Sequence, residues 1–81
     1  MKNLKIKKLN VPCQWGIEKF MPDQRDLDIV EFQILSNELI RHGFENLSGN
    51  WRIGSQVNIG DGTFVCVISN GIAGNPLFLL S

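Results

Sequence analysis

The most regular alternation of apolar and polar residues runs from Trp51 to Ser69, interrupted at Asp61-Gly62. An Asp-Gly pair between alternating apolar runs predicts a β-hairpin, because both residues tolerate the positive φ of a type I′ turn. A two-residue turn pairs Ile59 with Phe64, Val57 with Cys66 and Ser55 with Ile68. It puts Ile53, Val57, Ile59, Phe64, Cys66 and Ile68 on one face, since strand side chains alternate. A three-residue turn instead puts Val57 and Ile59 with Val65 and Val67. The two-residue register separates apolar from polar better and is the one expected. In either register Thr63 to Ile68 is apolar on both faces, which marks an inner strand covered on both sides.

Elsewhere the pattern is less uniform. Leu4 and Ile6 alternate with Lys5 and Lys7, which suits an edge strand guarded by lysines on its wet face. Gln14 to Phe20 alternates weakly, with Trp15 and Ile17 in phase, and reads as a second short strand or a loop. Pro22 to Asp26 has the proline and acids of a helix entrance. After it, Ile29, Phe32, Leu35, Ser36, Leu39 and Ile40 share a helical face, and Gly43 is a natural stop, so a helix is expected over about residues 24–43. A second stripe of Leu27, Val30 and Ile34, and the β-formers of residues 28–34, leave open a strand to Leu35 followed by a short helix Ser36 to His42. Leu77 to Leu80 offers a last strand with Pro76 at its start. The order is ββαβββ, or βαβββ if residues 13–20 are loop. Either is a small two-layer α+β sandwich, one main helix packed on an antiparallel sheet of about four to five strands, in a single domain.

Composition adds limits. At 43% hydrophobic and 20% charged, the 81-residue chain is a folded protein and not a disordered one. Its net charge is zero, yet residues 1–20 hold five lysines against Glu18 alone, a balance of +4. Residues 21–45 hold six acids against Arg25 and Arg41, a balance of −4. From Gly62 onward there is no charge. One reading packs the basic arm beside the acidic segment within the molecule; the other has one pole steering a partner. The basic start is not followed by the apolar run of a signal peptide, and no segment approaches the ~20 apolar residues of a membrane span. A soluble, cytoplasmic protein with Cys13 and Cys66 reduced is expected.

Candidate chemistry is sparse. His42 is the single histidine and sits at the expected helix end, where a cation suits the dipole; without a placed nucleophile or second ligand it makes neither triad nor metal site. Asp26 and Asp28 lack the glycine of a calcium loop. Gly60-Asp61-Gly62 lacks the Lys-Ser/Thr of a phosphate loop. Ile53-Gly54, Ile59-Gly60-Asp61-Gly62 and Ala73-Gly74-Asn75-Pro76 resemble the closing coil of hexapeptide-repeat acyltransferases, a resemblance that implies a left-handed β-helix. Residues 1–50 supply no such period, and His42 lies before the repeat-like stretch.

No catalytic residue, cofactor or metal is therefore expected. Small size, split charge and an uncharged sheet point to a non-enzymatic protein-binding module: an inhibitor, adaptor or regulator such as a phage or other mobile element encodes. The surfaces expected to meet a protein partner are Lys5, Lys7, Lys8 and Trp15, the acids Asp23, Asp26 and Asp28, and Val65 and Val67 on the sheet face away from the helix. Leaving that face open also suggests a homodimer. The alternative is a nucleic-acid-binding protein using the lysine cluster with Trp15 or Trp51 for stacking. No membrane partner is expected.

Overall fold

The structure, a computed structural model, describes residues 4–12, 20–44, 50–58, 61–72 and 74–81. Its elements are β1 (Ile6–Pro12), β2 (Arg25–Asp26), α1 (Ile29–Arg41), β3 (Arg52–Ile53), β4 (Val57–Asn58), β5 (Phe64–Ser69) and β6 (Pro76–Leu80). Every strand pairing is antiparallel, in the order β1-β6-β5-β3-β2, with β4 also against β5. One helix on an antiparallel sheet is the α+β class expected, and not a β-helix coil. Residues 14–19, expected as a strand or loop, lie outside the described residues. The second described strand before the helix is β2, within the stretch expected to be helical.

The helix starts later than its composition suggests because residues 22–26 bond to the sheet. Ser55 N–H donates to the Pro22 carbonyl at 2.7 Å, and Arg25 and Asp26 pair with Ile53 and Arg52. Asp28 then caps the helix in an extended conformation. Its Oδ1 accepts from Glu31 N–H at 2.7 Å, and Glu31 Oε1 accepts from Asp28 N–H at 2.9 Å, a reciprocal capping box. At the far end Gly43 takes φ +82°. Its N–H donates to Ile40, and Phe44 N–H donates to Leu39, which satisfies two terminal carbonyls in a Schellman-type closure.

That capping box also sets which face turns inward. Glu31 is 4% exposed, and Arg25 grips both its carboxylate oxygens, Nη1 to Oε1 and Nη2 to Oε2, each at 2.8 Å. With Glu31 against the sheet, the buried side is Glu31, Leu35 and Leu39, supported by Leu27 and Ile34. At about 100° per residue, Ile29 and Ile40 fall nearly opposite Glu31. Ile29, Phe32 and Ile40, expected on the buried face, are accordingly exposed, Ile29 at 77%.

Across the sheet, the face under the helix carries one row through five strands: Arg25, Ile53, Ile68, Phe78 and Lys8. Ile53, Ile68 and Phe78 are fully buried, and Trp51 meets Phe78 edge-on at 5.8 Å. The charged ends of the row lie over the two sheet edges, Arg25 on Glu31 and Lys8 5.7 Å from the Phe44 ring. The opposite face holds Val67, Leu77 and Met21, with Leu9, Val57 and Leu79 packed against them.

The hairpin corrects the expected register. Val57 pairs with Val65 and Asn58 with Phe64, the offset of a three-residue connection. Asp61 and Gly62 do take the positive φ the sequence calls for, 52° and 74°. The reason for the offset is an irregularity upstream. Between Ile53 and Val57 the chain takes one more step than between Val65 and Ile68, which face them. This bulge turns Val57 to the opposite face from Ile53, a division that uninterrupted alternation does not allow. Met21 sits on the bulge. A Cβ added to Gly54 would meet Met21 Cα at 2.5 Å, so only glycine admits the crossing chain.

Two outcomes follow for stability. Gly54→Ala destabilises by at least about 2 kcal/mol in denaturant unfolding, since backbone must move to admit the methyl. The second concerns Glu31, whose acidity is strengthened chiefly by the Arg25 hydrogen bonds, against burial. Its folded value lies below its unfolded one of about 4.5. This contribution is therefore complete above that pH and drains away as pH falls through the folded value. Arg25→Ala, which removes a half-exposed partner, costs about 1–2 kcal/mol at neutral pH and flattens the acid limb of the stability curve below about 4.5. Urea midpoints measured across that range check it.

Candidate binding groove

Strand β1 is an edge strand, and its lysines gather where the sequence suggests. Along its outer side runs a groove of about 950 Å³, floored by residues 4–9 and walled by α1 through Ile34, Asn37, Glu38, Arg41 and His42. Successive residues of a strand point to opposite faces, so a groove that touches six in a row follows the strand's edge and not one face. Leu79 completes the lining.

The groove is both apolar and basic. Leu4, Ile6, Leu9, Ile34 and Leu79 supply the apolar part, and Lys5, Lys7, Lys8 and Arg41 the charge. Among the described residues Glu38 is its one carboxylate, already engaged by Arg41 at 3.4 Å and His42 at 3.3 Å. His42 forms the helix C-cap, as its place in the sequence suggests.

Asp23, Asp26 and Asp28 collect at the opposite edge of the sheet, while Glu38 of the same acidic segment lies in the groove beside the lysines, so the basic arm meets the acidic segment within the molecule through α1 alone among the described residues. Asp26 pairs with Arg52 at 3.1 Å, Asp28 is the helix cap, and Asp23 occupies an exposed turn at φ 51°. Arg25 and Arg52 offset much of that negative charge. Of the remaining expected contacts, Trp15 lies outside the described residues. Val65 and Val67 lie on the face away from the helix as expected, but they are 5% and 4% exposed, covered within the chain. The open apolar face on which a homodimer was expected is thus closed. The apolar side chains left exposed on the helix are Ile29, Val30, Phe32 and Ile40.

Sequence reasoning missed the helix wall of this groove. Ile34, Asn37 and Arg41 become its lining only once the cap rotates α1. It also missed the Asp28–Glu31 capping box, although Asp-x-x-Glu before an apolar run is its usual signature.

For reaction chemistry the arrangement offers little to describe. Among the described residues no three His, Cys, Asp or Glu side chains gather where they could hold a metal ion. The Cys66 thiol packs half-buried beside the core, and burial raises its pKa, with nearby Arg25 opposing; it is held as a thiol. Among the described residues no helix is long and apolar enough to cross a membrane. Comparison with protein-family models, with curated proteins and with solved structures gives no match.

Proposed function

We propose that the protein is a non-enzymatic, cytoplasmic protein-binding module, an inhibitor, adaptor or regulator, whose partner seats in the groove between β1 and α1. The observation that carries this reading is the groove itself: a strand edge that pairs with no other described strand, an apolar lining, and lysines that form no salt bridge with an acid among the described residues. Grooves between an edge strand and a helix suit extended protein segments, because main-chain bonds supply affinity and flanking side chains select.

Nucleic acid is the second reading, favoured by the same lysines. Stacking platforms argue against it. Trp51 is buried on Phe78, and the Phe44 ring is occupied by Lys8. Among the described residues the lining of the groove holds no Phe, Tyr or Trp, the second half of single-strand recognition.

Asn37 is exposed and lines the groove, whereas Gln33 is exposed outside it. Immobilised protein is offered a nuclease-treated lysate of its own cell, and captured proteins are quantified. Wild type and Gln33→Trp retain the same partner, and Asn37→Trp loses it by about tenfold or more, as blocking a central contact does. Equal capture by both variants overturns the groove as the site. Enrichment that disappears with nuclease moves the assignment to nucleic acid.

A further inference from the structure

The backbone of β1 identifies what kind of segment the groove takes. Lys5 and Ser81 exchange both hydrogen bonds, Lys5 N–H to the Ser81 carbonyl at 3.3 Å and Ser81 N–H to the Lys5 carbonyl at 3.0 Å. Ile6 pairs with Leu80, Lys7 with Leu79 and Lys8 with Phe78 in unbroken register. In an antiparallel ladder the bonded pairs alternate. The main-chain groups of Lys5 and Lys7 therefore point at β6, and those of Ile6 and Lys8 point away from it, along an edge that no other described strand covers. The regular edge ends after Lys8, where the register shifts toward Pro12, a residue with no N–H to offer.

We infer that the groove binds an acidic, extended peptide segment of a partner protein, which adds as a strand to the open edge of β1 through Ile6 and Lys8. The inference rests on the groove being the partner site. Charge complementarity selects the occupant. Among the described residues Lys5, Lys7, Lys8 and Arg41 line the groove with Glu38 alone against them, so carboxylates on the incoming strand meet cations from both the sheet and the helix.

A second copy of the chain fits less well. β1 added to β1 would set lysines beside lysines, a like-charge pairing that destabilises a ladder. Lysines on an edge strand commonly serve as a guard against such pairing. Here the guard excludes the chain's own edge and leaves an acidic strand acceptable. A guard alone does not explain why Arg41 adds charge from the helix across an apolar groove.

The test uses the full chain, labelled with ¹⁵N, and amide hydrogen exchange read residue by residue. The probes are a capped octapeptide of alternating Val and Glu, the same peptide with Lys in place of Glu, an oligothymidylate, and unlabelled protein. At saturating Val/Glu peptide the amides of Ile6 and Lys8 exchange about tenfold or more slowly, while those of Lys5 and Lys7, already bonded to β6, do not change. The Lys peptide protects nothing. The variant Lys5→Glu/Lys7→Glu binds the acidic peptide about tenfold more weakly while keeping the β6 amides protected, which shows that it folds.

Four results overturn the inference: no binding of the acidic peptide at millimolar concentration, binding without protection of Ile6 and Lys8, equal protection by the Lys peptide, or preferential protection by oligothymidylate or unlabelled protein. If Asn37→Trp abolishes partner capture but the acidic peptide fails, the groove remains the partner site and strand addition falls. If the peptide protects Ile6 and Lys8 but Asn37→Trp captures normally, the strand site stands and the groove's role in partner capture falls.

Discussion

Strand β5 is apolar on both sides and uncharged, so the fold must cover it twice. Ile68 and Cys66 face the helix; Val65 and Val67 face away. The one helix among the described residues is a ready cover for only one of those faces. The second cover is Met21, carried across the sheet by the turn before β2 and seated on the bare backbone of Gly54. Gly54 N–H bonds to the Val67 carbonyl, and Ser55 N–H to that of Pro22, so the bulge ties the crossing chain to the hairpin it covers. Remove the close approach and Val67 loses its lid. The burial of β5 thus dictates both the bulge and the glycine.

Much of the sheet was legible because alternation is local. The inner strand, the edge strand with its lysines, and the last strand beginning at Pro76 each follow from which neighbours are apolar. The register was not legible, since one extra residue between Ile53 and Val57 reverses every later side chain, and nothing in Gly54-Ser55-Gln56 announces it. Two-residue pairing scored better on the segregation of Val57 and Ile59 because that score assumes an uninterrupted strand. A contact with Met21, distant in sequence, decided the matter.

The helix shows the reverse case. Its existence and its end at Gly43 come from periodicity and a C-terminal glycine. Its rotation comes from a charge. Counting apolar residues favours Ile29, Phe32, Leu35, Leu39 and Ile40 as one stripe; the structure buries Leu35 and Leu39 but turns Ile29, Phe32 and Ile40 outward and Glu31 inward, held by Arg25 and by Asp28 N–H. Burying a carboxylate is costly unless its oxygens are answered, and here the answering groups sit on β2 and the cap. Sequence patterning that ranks positions by hydrophobicity alone places a glutamate on the wet side, so it misassigns its neighbours with it. The same rotation brings Ile34, Asn37 and Arg41 to the strand edge, which is why the lysine side of the groove could be read from the sequence and its helix side could not.

Separation of charge follows from this topology. The chain's acids enter the sheet through β2 and its lysines through β1, and the strand order sets those two at opposite edges. With three strands between them, the acids of residues 23–28 have no route to the lysine groove, and Asp26 meets Arg52 where it lies. Zero net charge thus conceals a polar molecule, with Asp23, Asp26 and Asp28 gathered at one described edge and Lys5, Lys7 and Lys8 at the other. At physiological salt, exposed charges farther apart than about 8 Å are largely screened from each other. The groove therefore presents its cations almost undiminished by the acids across the sheet, and a carboxylate brought directly into it meets them at short range in a partly apolar setting. The charge asymmetry of the molecule then arises from strand order as much as from the lysines themselves.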